Sequence, residues 1–192
     1  MRVAVVPGAL ALLPRYAGQV DPLPELRAAC LAAVAWLGEA PEILGDPQGV
    51  RVGESLVESV GLDTPSLVPR DGYSTNDSAV GRVASASERI ETPGSAYLVV
   101  ANGSARRTQA SPGPYDERAV GFDAALGRAL KDADAAALAA IDQDLARELW
   151  AATTVLPELA GLLTRSESVT VDYDDAPFGV SYWVVRYENA DR

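Results

Sequence analysis

Ala96-Tyr97-Leu98-Val99-Val100-Ala101 is an unbroken apolar run that passes directly into Asn102-Gly103-Ser104-Ala105-Arg106-Arg107-Thr108. A run without polar alternation marks a strand covered on both faces, the habit of strands in a parallel sheet flanked by helices. Val3, Ala4, Val5 and Val6 repeat the pattern near the start of the chain. Two such strands demand helices on both sides of one sheet, and the remaining segments supply them.

After the loop around Gly8 and Pro14, Asp21 is placed to cap a helix with Pro22 at its first position, and Leu26, Cys30, Ala33 and Leu37 follow at helical spacing. Glu42 to Leu44 and Val50 to Val52 read as short strands around the turn Gly45-Asp46-Pro47, with a short helix from Glu54 to Val60. Asp63 to Thr75 is rich in Pro, Gly, Ser and Thr and reads as a long loop, and Asn76 or Asp77 opens a helix through Ile90. Turn formers from Ser111 to Pro114 precede a helix with Asp116 and Glu117 in its first turn and Val120 or Phe122, Leu126 and Leu130 on its buried face. Asp134 caps the next helix, whose stripe of Leu138, Ile141, Leu145 and Leu149 is opposed by a polar, solvent-facing side of Asp142, Gln143, Arg147 and Glu148; Pro157 ends or kinks it, and Leu159 to Leu163 add another turn or two. Val169, Val171 and Tyr173 then alternate with polar residues, Asp174 to Gly179 turn, and Val180 to Tyr187 return, which makes a β-hairpin. The expected architecture is α/β: a three-layer α/β/α domain spanning 1–192, with a mixed, largely parallel sheet and a C-terminal β-hairpin.

The 192 residues contain no histidine, 16 basic and 27 acidic side chains, a net charge of −11 and one cysteine. Without imidazole, the constellations of most hydrolases, dioxygenases and metalloproteases cannot be assembled. The negative charge repels phosphate backbones and anionic lipid heads, so neither nucleic acid nor a membrane is an expected partner. No stretch approaches the roughly 20 apolar residues of a membrane span. A lone Cys30 in an apolar helical stripe reads as a buried thiol, and with no secretory segment the expected location is cytoplasmic.

Loops at the carboxyl ends of parallel strands are where α/β proteins bind ligands, which singles out Asn102 to Thr108. Gly103 permits close backbone approach, and Arg106 and Arg107 are able to grip a carboxylate or phosphate through forked hydrogen bonds; the alternative is a surface loop whose arginines pair with nearby acids. Asp172, Asp174 and Asp175 are a carboxylate cluster of the kind that holds Mg²⁺ or Ca²⁺, but they lack the calcium-loop spacing and are read as a solvated turn. Tyr115 to Arg118 is read as helix capping, Thr153 and Thr154 as local hydrogen-bonding groups, and Cys30 lacks a basic partner that would make it a nucleophile. Tyr182, Trp183 and Tyr187 give the last strand an aromatic surface suited to a core or to a homo-oligomer contact. No P-loop or dinucleotide fingerprint occurs, and neither a metal nor an organic cofactor is expected.

Val5-Val6-Pro7-Gly8-Ala9-Leu10, the Val99 to Thr108 stretch, the Pro112 to Arg118 loop and Tyr173-Asp174-Asp175-Ala176-Pro177-Phe178-Gly179-Val180 together resemble small actinobacterial relatives of the class III extradiol ring-cleavage dioxygenases, the catalytic-subunit-B superfamily. The resemblance implies an ancestral Fe²⁺ held by two histidines and a glutamate, with a further histidine as acid/base. It puts the ligand histidines at or next to Gly8 and near Gln48, the acid/base at Ala105 with Ser104 retained and Asn102 in place of an aspartate, and the glutamate in the region of Thr153 and Thr154. Every imidazole position is vacant, and oxygen ligands alone hold Fe²⁺ weakly. The resemblance therefore implies a metal-free, catalytically degenerate homologue that binds a small anionic or aromatic ligand or acts in interactions. Two other readings stand beside it: an enzyme of altered chemistry lined by Asn102, Ser104, Arg106 and Asp174 or Asp175, and an accessory subunit docking through its aromatic strand. Candidate ligand-binding residues are thus Gly8, Gln48, Asn102, Ser104, Arg106, Arg107, Asp174 and Asp175.

Overall fold

The computed structural model describes residues 1–16, 20–62, 96–163 and 166–189. Strands β1 (Arg2–Val6), β2 (Glu42–Leu44), β3 (Ala96–Val100), β4 (Ser166–Asp175) and β5 (Tyr182–Asn189) form one sheet in the order β2-β3-β1-β5-β4. β1, β2 and β3 run parallel, while β5 lies antiparallel to both β1 and β4. The class is α/β, as expected from the two apolar runs. Alternate residues explain those runs: Val3, Val5, Tyr97 and Val99 enter one core and Ala4, Val6, Leu98 and Val100 the other. Polar side chains at either set of positions would be buried without partners.

The second core is closed by α1 (Pro24–Leu37) and α2 (Pro47–Ser59), through Leu26, Cys30, Val34, Val52 and Leu56. α1 starts later than expected. Asp21 does not cap it; its Oδ1 accepts from the Leu23 amide at 2.9 Å and its Oδ2 from Arg27 Nε at 2.5 Å, an Asx turn that delivers Pro24 as the first helical residue. Val50 to Val52 is not a strand. Gly45-Asp46-Pro47 is a helix start, with Asp46 Oδ1 accepting from the Gly49 amide at 2.6 Å, so α2 absorbs both Val50 to Val52 and the short helix expected beyond it. Glycine at 53 lets α2 lie close on the sheet, since a Cβ there would stand 2.8 Å from Ile43 Cγ2.

The first core is closed by α3 (Arg118–Lys131), α4 (Ala135–Ala139), α5 (Gln143–Glu148) and α6 (Leu156–Leu163). The single helix expected from Asp134 to Pro157 is thus two, α4 and α5, and the further turns expected over Leu159 to Leu163 are part of α6. Asp134 caps α4, but Asp142, read as part of a solvent face, accepts from the amides of Asp144 and Leu145 and starts α5 anew. Trp150, with φ 58, then turns the chain, and Pro157 sits in the first turn of α6, where its missing N–H costs nothing.

The hairpin forms with its turn shifted to 176–181, and β4 carries register shifts between Ser166 and Ser168 and between Val171 and Tyr173. Arg186 clamps Asp172 at 2.6 and 2.8 Å. β5 lies inside the sheet; Trp183 and Tyr187 are buried, and the Tyr187 hydroxyl donates to the Leu130 carbonyl at 2.7 Å. Trp183 and Tyr187 are therefore core, while Tyr182 is half-buried. The loop expected over Asp63 to Thr75 and the helix expected from Asn76 or Asp77 to Ile90 lie outside the described residues. Among the described residues no helix is long and apolar enough to cross a membrane.

Asp46→Ala removes the α2 cap and is expected to cost about 1 kcal/mol of unfolding free energy. Urea denaturation checks this, an unshifted midpoint contradicting the assigned cap.

Candidate functional site

The segment that leaves β3 is fixed at every residue. Asn102 exchanges two backbone hydrogen bonds of 3.1 Å with Ala152, the Gly103 amide donates to the Ser181 carbonyl at 2.9 Å, and the Ala105 amide donates to the Leu149 carbonyl at 3.2 Å. The glycine is required by proximity: a Cβ at Gly103 would lie 2.7 Å from Asp123 Oδ1 and 2.9 Å from Ser181 Cβ. The backbone thereby presses onto a carboxylate of α3.

Asp123 is the centre of the site and is 3% exposed. Its Oδ1 accepts from the Ser104 amide at 2.8 Å and its Oδ2 from the Ser181 hydroxyl at 2.7 Å, while Arg107 Nε lies 3.9 Å from Oδ2. Burial pushes this carboxyl above the ordinary aspartate range, against the opposing pull of the Ser104 and Ser181 hydrogen bonds and the Arg107 charge. Neither Asp123 nor Ser181 stood out in the sequence. The signal for Asp123 was present: it shares the face of Ala119, Phe122, Leu126 and Leu130, where a carboxylate has to be buried. Ser181, between Val180 and Tyr182, carried none.

The two arginines differ. Arg106 Nε donates to the Pro114 carbonyl and Nη1 to the Glu148 carbonyl, each at 2.7 Å, with Asp116 at 3.8 Å, so this side chain ties the loop to neighbouring segments. Ser104 is buried with its hydroxyl donating to the Leu149 carbonyl and accepting from the Arg106 amide. Arg107 Nε, by contrast, is buried without a hydrogen-bond partner among the described residues. At the start of α3, Asp116 accepts from the Arg118 amide and guanidinium, and that contact, with the charge of Arg106 behind it, holds its carboxyl down at about 2.

Arg107 faces an open cleft of about 270 Å³ between α3 and the hairpin, lined also by Asp123, Lys131, Asp174, Asp175 and Trp183. Lys131 Nζ meets Asp174 Oδ2 at 2.7 Å, and Asp175 Oδ1 accepts from the Ala176 amide. The fold thus brings Arg107, Asp174 and Asp175 together from distant parts of the chain. Gly8, Gln48 and Asn102 meet in a separate corner. Gln48 Nε2 donates to the Gly8 carbonyl at 2.8 Å, and Asn102 Oδ1 lies 3.5 Å from where a Gly8 Cβ would stand.

That corner does not fit Fe²⁺. Gly8 has no side chain, the Gln48 amide is occupied by the Gly8 carbonyl, and Ala105 is held against Leu149 and Gly113. Thr153 pairs its hydroxyl with Gln143 Oε1 at 3.0 Å. Among the described residues no three acidic or thiol side chains converge as a metal site requires. The Cys30 thiol is fully buried, and desolvation pushes it up to about 12, far from a nucleophilic thiolate. No protein-family model matches the chain, and no curated protein or solved structure matches it either.

Arg106→Ala leaves the Pro114 and Glu148 carbonyls without these donors and is expected to cost about 1–3 kcal/mol. Arg107→Ala should cost clearly less, a ranking that paired chemical denaturation curves test. A carboxyl whose pKa is raised by folding weighs against the folded state above that raised pKa and ceases to do so as acid protonates it. Asp123→Asn should therefore melt above the wild type at pH 7, with the difference shrinking on acidification towards pH 4; a difference that grows instead contradicts the assignment.

Proposed function

We propose that this protein binds a small anionic ligand in the cleft between α3 and the β4–β5 hairpin, with Arg107 as its anchor. The observation that carries the reading is the Arg107 Nε donor, buried beside the cleft without a hydrogen-bond partner among the described residues. A buried donor left unpaired is costly, and a carboxylate or phosphate oxygen in the cleft removes that cost with a charge-assisted hydrogen bond. Trp183 on the cleft wall favours a ligand with a flat apolar part, so an aromatic carboxylate suits both features. Lys131 adds a second cation, while Asp174 and Asp175 disfavour highly charged anions and argue for a single carboxylate over a polyphosphate.

The same reading makes the protein a metal-free relative of the class III extradiol ring-cleavage dioxygenases, degenerate for the iron reaction. This ancestry rests on the sequence stretches that resemble that superfamily, and the poor fit of Gly8, Gln48 and Ala105 to iron supports the loss of ring cleavage.

A thermal-shift series with benzoate, acetate, catechol and inorganic phosphate tests the ligand. A carboxylate at about ten times its Kd adds about 1.4 kcal/mol to the folded state, which raises the melting temperature. Benzoate is expected to give the largest shift and Arg107→Gln to abolish it. A shift that survives Arg107→Gln, or none with any carboxylate, overturns the proposal.

A further inference from the structure

We infer that Ser181 and Asp123 form a nucleophile and general-base pair that cleaves esters of small carboxylic acids in the same cleft. The inference deepens the ligand reading, since the acid released by such a reaction is the anion assigned to Arg107.

A hydroxyl nucleophile needs a base within hydrogen-bond reach, and a further group that orients the base. Ser181 Oγ donates to Asp123 Oδ2 at 2.7 Å, and the Ser104 amide holds the other carboxylate oxygen at 2.8 Å. Both side chains line the cleft. Comparison with the neighbouring hydroxyls sets Ser181 apart. Ser104 Oγ is spent as donor to Leu149 and acceptor from Arg106, and Thr153 Oγ1 is spent on Gln143. The Ser181 hydroxyl has a single hydrogen bond among the described residues, and its acceptor is a carboxylate. Burial adds basicity to that carboxylate, which an ordinary solvated aspartate lacks. The third part is an electrophilic donor. Arg107 Nε lies 3.9 Å from the same Asp123 oxygen and makes no hydrogen bond among the described residues, so its N–H is available to the charge that develops on a carbonyl oxygen.

The reaction balances with water as its only co-reactant. Ser181 Oγ attacks the ester carbonyl carbon while its proton passes to Asp123 Oδ2, and Arg107 holds the tetrahedral oxyanion. Collapse breaks the bond to the alcohol oxygen, which leaves with the proton from Asp123. Water, deprotonated by Asp123, then attacks the acyl-serine; the carboxylic acid departs and the proton returns to Ser181.

The test treats the full chain with p-nitrophenyl acetate, reading p-nitrophenolate release, and with phenylmethylsulfonyl fluoride, reading intact mass and the modified peptide. Expected are one adduct, located on Ser181, and ester turnover that falls at least about 100-fold in Ser181→Ala and in Asp123→Asn. Ser181→Ala deletes one oxygen and keeps the backbone contact to Gly103, so it reads the nucleophile independently of the base, and circular dichroism verifies the fold of each variant. An adduct elsewhere, or turnover unchanged in Ser181→Ala, overturns the pair. The two readings fail separately: wild type stabilised by carboxylates yet neither acylated nor sulfonylated refutes the nucleophile alone, whereas labelling of Ser181 without carboxylate binding refutes the anion anchor alone.

Discussion

One carboxylate holds together parts of the chain that would otherwise meet only through apolar contact. Asp123 projects from α3, receives the amide of Ser104 beyond the end of β3, and receives the hydroxyl of Ser181 just before β5. Removing such a group from water is unfavourable unless its oxygens are satisfied, so its neighbours are constrained in turn. Gly103 has to lack a side chain, Ser104 has to present its amide, and the backbone before β5 has to return against the loop that leaves β3. The cleft, its cation and its hydroxyl all follow from where this one acid is buried.

The β-sheet was legible because burial on both faces leaves an unmistakable trace: no polar residue interrupts Val3 to Val6 or Tyr97 to Ala101. Helix starts were harder. Asp21, Asp46 and Asp142 share one chemistry, yet only the last two cap helices. The difference lies in what surrounds each aspartate, and a second proline after Asp21 moves the helix start beyond reach of its side chain. Gly45-Asp46-Pro47 fits a hairpin turn and a helix start equally well in isolation; Val52, Leu56 and Val57 on one buried face decide for the helix.

The site was legible in location and obscure in content. The loop after β3 does border the cleft, but of the two arginines that looked equally available, Arg106 spends its donors on backbone carbonyls and Arg107 beside it does not. Adjacent residues on an irregular loop point in different directions, and no periodicity tells which of two identical side chains is free. The buried acid on α3 and the serine before β5 meet only through tertiary packing, over a separation of 58 residues.

The two irregularities in the outer strand β4 bear on how this molecule behaves beside other copies in a crowded solution. A straight border strand exposes a regular row of amides and carbonyls on which a neighbouring chain can extend the sheet. Here that row is interrupted twice, and Asp172, Asp174 and Asp175 stud the stretch around the second break. Added to the surplus of 11 negative charges, this makes β4, the outermost strand among the described residues, a poor template for fibrils, so the protein should stay dispersed at high concentration.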